Sequence, residues 1–209
     1  AMWGTNPVLR HMSTADARLP VRLWSEALVR AVLSAGWGVK TTGLERVPSS
    51  GALIVACNHV SWLDVLLLYS TLGPVRHPYG LAKKELFENP TTAWFFHGTG
   101  TIPLDRGGDA TSALRAGLEA LEKGASIAIF PEGTRGKTGE RRPAKAGVSF
   151  LAARSRACVV PVRVVGTAEF PWVFPLEVRF GPPMQPPETE DREAGRAYAQ
   201  AVMDAVYAL

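Results

Sequence analysis

The sequence has little of what usually fixes a protein's class at once. Its two cysteines, Cys57 and Cys158, both sit inside apolar, β-like runs. That argues against a disulfide framework or a zinc site and for buried thiols in a reducing compartment, so a cytoplasmic protein is expected. No apolar run approaches the roughly 18 residues a membrane-crossing helix needs, and no charged segment leading into an apolar one marks a signal peptide. The histidines are scattered: His11, His77 and His97 show no paired ligand spacing, and only His59 has a carboxylate close by, so no metal is expected. A nucleophilic serine is not signalled either, because no Gly-x-Ser-x-Gly elbow occurs. Surplus charge is small, with Lys+Arg 23 against Asp+Glu 19 and a formal net charge of +4. Without a recognition module that is too little for nucleic acid, but it suits phosphorylated substrates or an anionic membrane surface. Repeats, low-complexity tracts and linkers are absent.

What is present is an ordinary globular composition, 46% hydrophobic over 209 residues, enough for one sizeable core. Residues 1–20 mix polar residues with Gly and Pro without periodicity and read as an arm. Residues 21–36 read as a helix with Trp24, Leu28, Ala31 and Ala35 on one face, stopped by Gly36 and Gly38. Val29 and Leu33 lie roughly opposite, flanked by Arg22 and Arg30. Two readings are open: a helix sandwiched in the core, or one that packs through its Trp24 face and lays Val29 and Leu33 in a lipid interface.

Beyond this segment strands and helices alternate. Residues 52–57, "ALIVAC", are a buried strand and residues 62–72 a helix ended by Gly73-Pro74. Short apolar runs end at Asp105-Arg106 and at Pro131-Glu132, with a helix over 111–123 between them. A helix over 144–156, strands in "CVVPVRVVG" and "LEVRFGPPM", and an amphipathic helix over 191–208 complete the pattern. Such alternation implies an α/β fold, a mixed, largely parallel sheet covered by helices on both faces, with an N-terminal amphipathic helical segment. The division expected is residues 1–40 as arm and membrane-associating helix, and 41–209 as the main domain.

Ligands of open α/β sheets bind outside the carboxyl ends of the strands. Three polar clusters stand there: Asn58-His59, Asp105-Arg106, and Glu132 through Arg135. If their strands are parallel neighbours, the clusters converge on one cleft. In "ACNHVSWLDVLLLY" four residues separate His59 from Asp64 across a strand-to-helix junction. A carboxylate bonded to one imidazole nitrogen leaves the other free to accept a proton and stabilises the imidazolium that results. The same spacing also fits a blander role, because Ser61-x-x-Asp64 resembles a capping box that serves only the helix. In "FPEGTRGKTGERRPAK", glycines let backbone N–H groups approach a phosphate and Arg135 adjoins a buried strand, whereas Lys137, Arg141 and Arg142 suit a solvated loop.

The blocks "NHVSWLD", "GTIPLDR", "FPEGTR" and "VVPV", in that order, resemble the glycerolipid acyltransferase family that includes 1-acylglycerol-3-phosphate O-acyltransferases. The resemblance spans about residues 40–185, with "LAKKELFENP" and "AKAGVSFLA" similar to the family's connecting segments. It implies transfer of a fatty acyl group from acyl-CoA or acyl carrier protein to a lysophospholipid hydroxyl, with no cofactor besides that co-substrate. His59 is then the general base and Asp64 its orienting partner. Arg106, Gly133, Thr134 and Arg135 bind the acceptor phosphate, Glu132 shapes the glycerol site, and Asn58, Lys83 and Lys84 support it. A peripheral or monotopic place on the cytoplasmic membrane face follows, with lysophosphatidic acid as acceptor. Glycerol 3-phosphate or another lysolipid, a thioesterase-like hydrolase and a non-catalytic lipid-binding domain are the alternatives. The oxyanion donor is expected near the helix start or at Gly133.

Overall fold

The computed structural model describes residues 19–90, 92–93, 96, 101–104, 110–137, 140–188 and 191–209. Strand β2 (Leu53–Cys57) is buried along its whole length. It runs parallel to β6 (Ser126–Ile129) on one side and β7 (Cys158–Val165) on the other. A strand roofed on both faces must be apolar throughout, which is why "LIVAC" is a continuous run and does not alternate with polar residues.

The six-stranded sheet has the order β1 (Val39–Thr42), β8 (Leu176–Phe180), β7, β2, β6, β3 (Pro78–Tyr79), and every pairing is parallel except β7 with β8. Leu53, Val55, Val160 and Val162 enter one core with Leu67 and Leu68 of α2 (Leu63–Leu72). Ile54, Ile127 and Val159 enter the other core. Leu121 of α3 (Ala110–Glu122), Leu151 of α4 (Gly147–Ser155) and Val202 of α5 (Arg192–Ala208) meet them there. The expected two-sided, mostly parallel architecture is therefore the one observed.

Differences from the expected boundaries have local causes. The 144–156 helix starts later, at Gly147, because the Lys145 N–H is donated to the Pro131 carbonyl at 2.9 Å. Beyond Phe180 the sequence Gly-Pro-Pro cannot continue a ladder, and Met184 makes only an isolated bridge to Val159. The condition for three converging clusters is met for two. Strand β5 (Ile102–Leu104) pairs with β4 (Leu81–Lys83) in a separate two-stranded parallel sheet and is no neighbour of β2 or β6.

Helix α1 (Leu19–Trp37) packs on α2 with the face opposite to the one expected. Leu33 is 5% exposed and Val29 packs on the same core, while Trp24 is 77% and Leu28 59% exposed, with Ala31 and Ala35 also outward. The two apolar faces are interchanged relative to the lipid-facing reading. The reason is long-range. The Val29–Leu33 face also carries Glu26, whose buried carboxylate lies 2.8 Å from Nδ1 of the buried His77. At the same helix's end, Trp37 Nε1 donates to the Pro171 carbonyl at 2.9 Å. Local periodicity sees neither partner.

Leu33→Ala should therefore cost about 2–5 kcal/mol of folding stability as a buried truncation. Leu28→Ala should stay within about 0.5 kcal/mol. Urea denaturation of the two variants checks the assignment. Among the described residues no helix is long and apolar enough to cross a membrane.

Candidate active site

The site begins where β2 ends. Asn58 leaves the strand but prolongs its pairing, since its Nδ2 donates to the Val164 carbonyl (2.9 Å) and its Oδ1 accepts the Val164 N–H (2.8 Å). This buried clamp fixes the next residue, His59, at the carboxyl edge of the sheet. The His59 carbonyl accepts the Gly136 N–H (2.8 Å) and its own N–H donates to Glu132 Oε1 (3.3 Å). Because β2 and β6 are parallel neighbours, the first and third clusters are thus stitched together through the main chain. The His59 ring stacks on Phe130, centroids 4.1 Å apart and planes 24° from parallel, and its side chain keeps 18% exposure.

Asp64, fully buried in the first turn of α2, faces that ring, with Oδ2 3.1 Å from His59 Nδ1. The same oxygen accepts the N–H groups of Val60 (2.7 Å) and Ser61 (2.8 Å), and Oδ1 accepts the hydroxyl of the buried Thr167. One carboxylate thus makes both the amide contacts of a cap and the imidazole contact of a dyad. A buried charge needs this many donors to offset its lost hydration. With the carboxylate accepting at Nδ1, the proton sits there and Nε2 is left as a free acceptor. His59 Nε2 has no hydrogen-bond partner among the described residues.

On the other side, the turn after β6 closes by Gly133 N–H donating to the Phe130 carbonyl (2.9 Å) at φ +75, in the left-handed region. Any side chain there is strained by the left-handed backbone, and an added Cβ would also meet the mobile end of Lys145, 2.5 Å away at Nζ. Thr134 and Arg135 are exposed at the turn's tip, and Arg135 has no hydrogen bond or ion pair to any described residue. Lys145 lies across the same turn. Arg142 is instead paired with Glu140 at 3.1 Å. Of the expected oxyanion donors, the Gly133 N–H is engaged on Phe130, and near the helix start the Val60 and Ser61 N–H groups are engaged on Asp64. The amides of Thr134 and Arg135 make no such bond to any described residue.

Glu132 points inward. Buried at the turn, its Oε1 accepts from His59 N–H and from the Tyr207 hydroxyl (3.0 Å), while Oε2 is buried without a partner among the described residues. Tyr207 is held between the guanidinium groups of Arg141 and Arg163, 5.3 and 5.2 Å from its ring centre. Burial and then Glu132 push its phenol up to about 12, so it remains a donor. Tyr207 and Thr167 were missed by sequence reading, because their partners lie 75 and 103 residues away. Tyr207→Phe should lower kcat several-fold with little change in acceptor KM, because Glu132 then loses one of its two anchors; steady-state kinetics check this. Cys57 is no nucleophile: burial first, then Asp64 and Glu132, drive its thiol well up, and it stays neutral.

Arg106 lies outside the described residues, as do the side chains of Lys83 and Lys84, whose backbone ends β4 and starts the turn that follows.

An α/β sheet presenting a carboxylate-held imidazole beside a glycine turn whose Arg135 is unpaired among the described residues has the chemistry of a class of proteins, those that can support base-assisted group transfer to an anionic acceptor. The chain belongs to the Acyltransferase family, whose model matches residues 38–165. It is 33% identical over 138 residues to a 1-acyl-sn-glycerol-3-phosphate acyltransferase of Bacillus subtilis, covering 66% of this chain and 68% of that protein. A chloroplastic 1-acyl-sn-glycerol-3-phosphate acyltransferase of Brassica napus is 35% identical over 130 residues, 61% of this chain but 37% of the plant protein. The crystal structure of the 1-acyl-sn-glycerophosphate acyltransferase of Thermotoga maritima superposes with a TM-score of 0.72 at 27% identity, over 92% of this chain and 81% of that one.

Proposed function

We propose that the protein transfers a fatty acyl group from acyl-CoA or acyl carrier protein to the sn-2 hydroxyl of 1-acylglycerol 3-phosphate, forming phosphatidic acid for phospholipid synthesis. The observation that carries this reading is His59 Nε2, an unengaged base on an imidazole fixed by Asp64 and stacked on Phe130, beside the exposed turn of Arg135. The acceptor hydroxyl gives its proton to Nε2 as its oxygen attacks the thioester carbonyl. Collapse of the tetrahedral adduct breaks the C–S bond, and the departing thiolate takes the proton from Nε2–H. No cofactor and no covalent acyl-enzyme is needed.

The Arg135 guanidinium, the Thr134 hydroxyl and the amides of Thr134 and Arg135, presented by the turn at Gly133, take the acceptor phosphate, joined by Arg106 on the strength of the family motif. Glu132 shapes the glycerol end indirectly, by fixing His59. The exposed Trp24–Leu28 face of α1, edged by Arg30, rests on an anionic membrane surface and brings the cleft to its lipid, which places the protein peripherally on the cytoplasmic face. Arg135→Ala should raise acceptor KM by about 10–100-fold, the loss of one charge-assisted contact of about 1.5–3 kcal/mol, and leave donor KM unchanged. Mass spectrometry of the lipid formed from oleoyl-CoA tests the acceptor. Phosphatidic acid from 1-acylglycerol 3-phosphate is expected; product from glycerol 3-phosphate alone would replace the acceptor assignment.

A further inference from the structure

The segment between β7 and β8, residues 166–175, is fastened at two points. At its start Thr167 donates its hydroxyl to Asp64 Oδ1. In its middle the Pro171 carbonyl accepts from Trp37 Nε1 at 2.9 Å, and the Phe170 ring lies 4.7 Å from the Trp37 ring. Trp37 is the last residue of α1. The segment therefore reaches from the carboxylate that orients His59 to the end of the helix assigned to the bilayer surface. Beyond the second fastening it exposes two large apolar side chains, Trp172 at 84% and Phe174 at 61%. Tryptophan, with an apolar body and one polar N–H, is the side chain best suited to the headgroup level of a membrane.

We propose that this segment is a second lipid-contacting element, with Trp172 and Phe174 entering the headgroup boundary of the bilayer that the exposed face of α1 engages. The inference rests on the proposed action at a membrane. The occupant is a lipid surface because the tip directly follows Phe170 and Pro171, which hold the end of α1 at Trp37, and because the acceptor assigned to the adjoining site is itself a membrane lipid. Glu169 is the only ionisable residue in the segment, and it is acidic. The segment's contribution is accordingly apolar and resists salt, whereas the attraction supplied by Arg30 beside the α1 face is screened. Its fastening to Asp64 sets the mouth of the cleft at the lipid surface.

The test uses the whole chain with Trp172→Ser and Phe174→Ser together, beside a Trp24→Ser/Leu28→Ser protein. Co-sedimentation with vesicles of phosphatidylglycerol and phosphatidylcholine is measured at low and high salt. Turnover is measured on a vesicle-borne long-chain acceptor and on a short-chain acceptor in free solution. The segment variant should bind vesicles roughly tenfold more weakly at both salt concentrations. It should turn over the vesicle-borne acceptor more slowly and keep its rate on the soluble one.

Undiminished vesicle binding overturns the proposal; if the α1 variant alone loses binding, the membrane reading of α1 survives it. A wild-type protein that ignores vesicles overturns both. Unchanged vesicle binding with loss of a dimer would assign the tips to self-association and overturn it too. Vesicle binding that follows the expected pattern in a protein without transfer activity sinks the enzymatic reading and keeps the surface. Should the double change lower the thermal midpoint, an environment-sensitive fluorophore on Phe174→Cys, in a Cys158→Ser background with Cys57 buried, gives the answer. A blue shift on adding vesicles supports insertion, and its absence overturns it.

Discussion

His59→Ala is expected to fold normally and to lose acyl transfer by roughly 10²–10⁴-fold, the contribution of a positioned general base. The fold survives because the imidazole is not part of either core. It stacks on Phe130, at the cleft edge, and among the described residues bonds only to Asp64. Asp64 keeps three other donors, from Val60, Ser61 and Thr167, when the ring is gone. Acceptor binding should hold, since the charges assigned to its phosphate, Arg135 and Arg106, are not on the imidazole. Circular dichroism beside single-turnover kinetics separates the two effects. A folded His59→Ala protein with near-wild-type turnover would remove the mechanism.

Asp64→Asn should be nearly as severe in kcat, on the order of 10³-fold or more, for a different reason. An amide has one acceptor oxygen and an NH₂ group. Turned to keep the Val60 and Ser61 bonds, it still loses the negative charge that stabilises the imidazolium as the hydroxyl proton arrives. Turned the other way, it sets a donor against two donors and against Nδ1–H. Asp64→Ala should in addition lower stability, because Val60 N–H, Ser61 N–H and the Thr167 hydroxyl are then buried without an acceptor, at about 1–3 kcal/mol each if water cannot enter. Thermal unfolding of both variants alongside kinetics should show Asn impaired chiefly in rate and Ala in both.

The junction from β2 to α2 was legible because everything that forms it is local. An apolar run without alternation marks a two-sided strand, and Ser61-x-x-Asp64 marks the helix start. Spacing left cap and dyad open, and the geometry carries the contacts of both, since Asp64 Oδ2 serves two amides and an imidazole together. The meeting of His59 with Glu132 was legible in part. The position of each cluster after a strand could be read, but adjacency depends on sheet order, which joins β2 to β6 and sends β5 to another sheet.

Thr167 and Tyr207 carried no local signal. One stands just past a strand end and the other among the apolar positions of a terminal helix, and each acts through a hydrogen bond across the fold. The reversed faces of α1 follow the same rule. Both stripes are apolar, so periodicity could not rank them, and the ranking came from Glu26 meeting His77 and Trp37 meeting Pro171.

Acceptor dependence of thiol release tests the central claim most directly. Oleoyl-CoA is incubated with the protein, with and without 1-acylglycerol 3-phosphate, and free thiol is counted against phosphatidic acid. Release is expected only when the acceptor is present, with one phosphatidic acid for each thiol, and both should fall by roughly 10²-fold or more in His59→Ala. Release at the same rate without acceptor would mean that the His59–Asp64 pair activates water, and would contradict the assignment of the protein as a transferase.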